Sequence, residues 1–288
     1  MSLSRRKTLA IIGGGLVVAA SGVGYHVTRP LRLALQPWDT AGQYDDPRLQ
    51  ALSYAILAPN PHNRQPWKVD VSTPDEITIY VDTDRLLPHT DPFSRQITIG
   101  MGCFLEVMRM AAAEQGIGVT CDVFPQGQSG EALDTRPVAV ARFEGSATPD
   151  PLFAHVMQRR TLKDSFDTSR DVPETALGPL KDAAVNGGTV GGTVVPDDVM
   201  GWRNLTHEAL IIEIETPRTY KESVDLFRIG RKEVDANPDG IDFTGPMFEG
   251  LRLAGLFNRE TALDTNSAAY QAGLESVYAN TDTAMGHI

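Results

Sequence analysis

Residues 58–67 read Ala-Pro-Asn-Pro-His-Asn-Arg-Gln-Pro-Trp, the densest run of side chains with chemical potential in the chain. Pro59, Pro61 and Pro66 fix φ and remove backbone donors, and each pushes the residue ahead of it toward extended backbone. The run is therefore expected to be a stiff, non-helical connection that carries amide side chains. Amides on a rigid backbone suit the edge of a planar heteroaromatic ligand. They suit equally a structural loop with Trp67 in the core. A second run, Arg159-Arg160-Thr161-Leu162-Lys163, crowds cations and a hydroxyl into one helix-to-loop boundary. Charged donors of this kind can grip a phosphate. A solvated basic helix end, favourable against the C-terminal dipole, has the same composition. His62 reads either as a pocket residue or as a structural one. No catalytic acid, base or triad is assigned.

The amino-terminal stretch is of another kind. Ser4-Arg5-Arg6-Lys7 precedes a Gly- and Ala-rich apolar run from Leu9 to about Gly24. A basic region followed by a short apolar one is a targeting segment rather than part of a fold. Paired arginines at its front mark a twin-arginine signal. Residues 1–28 are read as that signal or as an amino-terminal membrane tether. The chain is then expected in the periplasm or on the outer face of the cytoplasmic membrane, with the twin-arginine export machinery as a partner.

A formal net charge of −11 argues against a nucleic-acid surface, which needs clustered Lys and Arg. Hydrophobic residues at 41% and charged residues at 22% are ordinary for a globular chain. The two cysteines, Cys103 and Cys121, fall in a helical and a strand pattern, so two separate buried thiols are expected rather than a disulfide. No Cys/His spacing suits a metal, and no metal site is expected.

The elements that must carry these runs follow from local signals. Asp46-Pro47 is a helix start, with an N-cap followed by proline at the first helical position. Residues 67–71 and 76–81 alternate as a hairpin. A long helix is expected from about Ser94 to Gln115, with Ile97, Met101, Leu105, Met108 and Ala112 inward and Gly100 and Gly102 allowing close packing. Strands are expected at 118–124, 137–143 and 193–195, and helices near 151–158, 173 onward, 196–213, 216–229, 246–257 and 266–279. Residues 237–245 read as a loop, and 283–288 as the opening of a strand whose continuation is missing.

The 58–67 run resembles the Ser-Pro-Ser-x-x-Asn-x-Gln-Pro-Trp motif of the FMN-dependent nitroreductase family. Asn60 and Pro61 stand where that family has small hydroxylated residues. Arg159–Lys163 is similar to the family's Arg-Arg/His-Ser-x-Arg/Lys run, with Phe166 one residue late. Arg95-Gln96 and the residues after them resemble its long interface helix. In the family the basic run comes first, and the site forms between two subunits. Here the order is reversed, as in the twin-arginine-tagged, duplicated Acg-type branch.

The resemblance implies an α+β, nitroreductase-like fold with two tandem halves, 45–145 and 150–288, forming an intramolecular pseudo-dimer whose C-terminal part is missing. It implies one FMN site per chain, held by Pro59, Asn60, Pro61, Asn63, Arg159, Arg160, Thr161 and Lys163. It also implies an oxidoreductase moving two electrons from NAD(P)H or another reductant to a small aromatic acceptor of nitro or quinone type. The alternatives are a non-catalytic protein that stores or sequesters FMN under a lid from residues 237–260, and an envelope protein with the fold but no flavin.

Overall fold

A computed structural model describes residues 31–128, 130–161, 167, 169–182 and 191–279. The signal at 1–28, Lys163 and the expected strand at 283–288 lie outside the described residues. In chain order the elements are α1 (Gln36–Thr40), α2 (Pro47–Ala55), β1 (Trp67–Asp70), β2 (Glu76–Val81), α3 (Arg95–Ala113), β3 (Ile117–Val123) and β4 (Pro137–Ser146). They continue with α4 (Leu177–Asp182), α5 (Pro196–Glu215), α6 (Pro217–Asp225), β5 (Phe227–Ile229) and α7 (Arg231–Ala236). The last are β6 (Ile241–Phe243), α8 (Pro246–Leu253), α9 (Arg259–Leu263) and α10 (Ala268–Ala279). The chain is thus mixed α and β. It divides into one unit of residues up to Arg159 with Asp225–Arg259, and another of Arg160–Val224 with the residues from Glu260.

The first unit is built on an antiparallel sheet of order β1-β2-β4-β3. Alternation along β2 sends Ile77, Ile79 and Val81 inward, where they meet Val138, Ala139, Ala141 and Phe143 of β4. Helices α2 and α3 close this core with Ala51, Leu52, Ala55, Ile97, Met101, Phe104, Met108 and Ala112. As the pattern suggests, Asp46 caps α2 by accepting from Arg48 N at 2.8 Å. The long helix takes its cap from further back than expected. Ser94 is left-handed, and the buried Asp91 carboxylate accepts from Arg95 N at 2.8 Å and Ile97 N at 3.0 Å.

The segment 225–259 departs from the expectation of helix to 229 and loop to 245. Helix α6 stops at Asp225, and β5 and β6 pair as a parallel ribbon. The ribbon buries its aromatic side chains on one another: Phe227 and Phe243 stack edge to face at 4.6 Å, and Phe257 lies 5.1 Å from Phe243. In the second unit Tyr220 of α6 donates to the Ala262 carbonyl at 3.0 Å and meets Tyr270 edge to face. The expected strand at 193–195 is irregular backbone leading into α5. Among the described residues no helix is long and apolar enough to cross a membrane.

Candidate functional site

The amide-rich run folds into a tight knot on the first unit. Pro61–Asn63 form a 3-10 turn, and His62, Asn63 and Gln65 adopt left-handed φ of 48°, 48° and 46°. Each such residue costs roughly 1–2 kcal/mol in an unsupported chain, so the surroundings must enforce the shape. Asn60 does much of this. Its Oδ1 accepts from Gln65 N at 2.7 Å and its Nδ2 donates to the Ala58 carbonyl at 3.2 Å. The Asn60 amide is thus occupied within the loop. Asn63 is presented outward: its Oδ1 accepts from Gln65 Nε2 at 3.3 Å. Among the described residues its Nδ2 has no acceptor. Trp67 is partly buried and stacks on Phe104 at 5.0 Å, so it anchors the loop's exit to the core.

The helix beneath explains why the loop can sit so low. A methyl at Gly100 would lie 3.2 Å from Asn60 Cβ, 3.4 Å from Asn60 Cα and 3.4 Å from the Pro59 carbonyl oxygen. Gly102, expected to share this role, is exposed and would meet nothing within 4 Å.

Arg159 comes to the same place. Its Nη2 donates to the Leu57 carbonyl at 2.6 Å, and its charge acts on Cys103 of α3. Burial pushes the Cys103 thiol up, and Arg159 pulls the other way. Cys103 lies three residues beyond Gly100, about 4.5 Å along the helix axis. Asn60 therefore rests on α3 at Gly100, and the charge of Arg159 reaches the next turn of that helix. Arg160 and Thr161 are exposed at the start of the second unit. Cys103 and Cys121 are not bonded to each other, but they are not both buried as expected: Cys103 is half-buried and Cys121 is exposed on β3.

Other contacts on this loop have no local sign in the sequence. Arg64 donates to the Arg85 and Asp84 carbonyls, both at 3.1 Å, and Arg85 Nη1 donates to the Arg64 carbonyl at 2.9 Å. Gln65 Nε2 donates to the Pro238 carbonyl at 2.8 Å, and Gly240 N to the Asn63 carbonyl at 3.2 Å. Residues 237–240 thus lie against the loop within the first unit. Turn-forming Pro, Asp and Gly were the one available signal there. They announce a loop but not its partner.

The donor chemistry of this set is one cation, of the kind that suits a phosphate, and one outward amide, Asn63, of the kind that suits a ring edge. No family model matches the chain. Two proteins of Mycobacterium tuberculosis share stretches with it. "Putative NAD(P)H nitroreductase acg" is 33% identical over 75 residues, 26% of this chain and 22% of that protein. "Uncharacterized protein Rv3127" is 29% identical over 121 residues, 41% of this chain and 35% of that protein. The chain spans about a fifth and about a third of the length of these relatives.

Proposed function

We propose that the chain binds FMN and serves as a nitroreductase-like oxidoreductase, taking two electrons from NAD(P)H or another reductant and delivering them to a nitro- or quinone-type acceptor. The observation that carries the reading is the Arg159–Leu57 contact, which puts a cation of the second run at the edge of the first. The partial similarity to a protein named as an NAD(P)H nitroreductase supports it from an independent direction.

FMN, when bound, supplies a reversible two-electron carrier that accepts hydride and passes it on. The chain's own residues bind and orient. Arg159 offers fixed positive charge to the phosphate; Arg160, Thr161 and Lys163 are carried as further donors on the family resemblance of their run alone. Asn63 and the fixed backbone of Pro59, Asn60 and Pro61 define one ring edge. Asn60 acts from inside the loop, by holding Gln65 and with it the outward face. No proton-transfer side chain is required for hydride exchange, which agrees with the absence of an assigned triad.

FMN sequestration is the second reading, and one observation favours it. Residues 237–240 belong to the segment expected as a lid, and they are bonded to the loop. The test is direct. The purified full-length protein is examined for flavin absorbance and then mixed anaerobically with NADPH. Bleaching supports the reductase, and bound flavin that stays oxidised supports sequestration. A colourless protein that FMN cannot load rejects both.

A further inference from the structure

Asp239 sits at the centre of three guanidiniums. Its Oδ2 accepts from Arg64 Nη1 at 3.2 Å and from Arg85 Nη1 at 3.1 Å. Its Oδ1 accepts from Arg228 at 2.7 Å and 3.1 Å. The Arg64, Arg228 and Asp239 side chains are 12%, 13% and 16% exposed, so solvent screens these three poorly, while Arg85 is 38% exposed. Burial lowers the proton affinity of Arg64 most. Asp239 opposes that effect, while Arg85 and Arg228 add to it. The cations therefore repel one another, and among the described residues Asp239 is the carboxylate bonded to all three. Asp82 adds weaker support, pairing with Arg85 at 3.4 Å and acting on Arg64, and it is shared with Lys68 at 2.8 Å.

All three cations lead back to the candidate site. Arg64 is part of the loop itself. Arg85 grips the Arg64 carbonyl, and Arg228 precedes the turn that holds Gln65 and Asn63. Buried ion groups of this kind contribute little net stability, yet removing one partner is costly. Their effect is to fix one arrangement.

We propose that Asp239 is a positioning residue: by bonding Arg64, Arg85 and Arg228 together, it holds the 60–65 loop in the shape that presents Asn63 to the ligand. The ligand part of this inference rests on the FMN reading above, while the loop part does not. Asp239→Asn keeps the side-chain shape and removes the charge, so the loop loses its shared counter-ion.

The experiment uses the full-length protein and reads two quantities at a temperature where wild type and variant are both folded. The first is amide hydrogen exchange at Asn63, Arg64 and Gln65, with β2 amides as the internal reference. Asp239→Asn is expected to speed loop exchange by at least about tenfold and leave β2 unchanged. Loop exchange equal to wild type overturns the positioning role. The second is FMN affinity in a cycle with Asn63→Ala. Asp239→Asn is expected to weaken binding about tenfold, and adding Asn63→Ala to that variant to weaken it little further. A lowered melting temperature with unchanged FMN affinity, or two fully additive losses, overturns the role toward the ligand. If wild type binds no FMN while loop exchange responds as expected, the flavin reading fails and the loop clasp stands. Should Asp239→Asn fail to fold, Arg228→Gln removes one spoke of the cluster and is read the same way.

Discussion

The Arg159 guanidinium donates to the Leu57 carbonyl oxygen at 2.6 Å, joining positions 102 residues apart. The side chain fixes the end of the α2-to-loop connection, and in the proposed function it would also offer charge to a phosphate. Arg159→Ala should lose both. The unpaired carbonyl is expected to cost about 1–3 kcal/mol of stability, and a lost charge-assisted contact to weaken FMN binding roughly 10- to 100-fold. Calorimetry and flavin titration separate the two. Arg160→Ala, at an exposed position, should shift stability by under about 0.5 kcal/mol. Flavin affinity unchanged in the Arg159 variant would reject its phosphate role.

Gly100 and Gly102 make a matched pair on α3. Alanine is favoured over glycine in a helix by roughly 1 kcal/mol, and at Gly102 nothing opposes that gain. Gly102→Ala should raise the melting temperature. At Gly100 the new methyl presses on Asn60 and the Pro59 carbonyl, which are backbone-held. Overpacking of this kind costs typically about 1–3 kcal/mol, so Gly100→Ala should melt lower than wild type and bind FMN less well. Equal melting temperatures for the two variants would show that the loop does not rest tightly on this helix.

Glu213 of α5 gives a pH signature. Burial, and then the charge of Glu222, raise its carboxyl above the ordinary 4.5. The folded state therefore holds the proton more tightly than the unfolded one. Its stabilising effect is complete below 4.5 and is lost as pH rises through the raised value. Glu213→Gln should thus melt higher than wild type near neutral pH, and the gap should close in acid near pH ~4. A gap independent of pH would reject the assignment.

Asp91 caps the long helix from a buried position, serving Arg95 N and Ile97 N. Asp91→Ala strands both donors and is expected to cost about 1–2 kcal/mol, on the scale of a lost helix cap. Denaturant unfolding measures it. A change within error would mean that water replaces the carboxylate.

What could be read beforehand was local. The Asp46-Pro47 start, the 67–81 hairpin and the inward row of α3 are written in neighbouring residues, and the fold contains them. The β5–β6 ribbon could not be read, since three-residue strands show no period and their pairing depends on a phenylalanine cluster assembled across thirty residues. The site divides in the same way. The 58–67 composition announced a stiff amide-bearing turn. Which amide faces inward depends on left-handed backbone at His62, Asn63 and Gln65, a conformation that none of these residue types requires. The ion cluster around Asp239 joins residues 154 and 175 positions apart, beyond the reach of any window along the sequence.

That separation also orders events during synthesis. The ribosome makes Arg64 175 residues before its carboxylate partner, an interval of roughly 10–35 s at ordinary translation rates. Throughout it Arg64 and Arg85 lack the carboxylate they share, with Asp82 the acidic partner already made. The ion cluster can close only once Asp239 has been made, so a loop built early in synthesis gains its last bonded partner late.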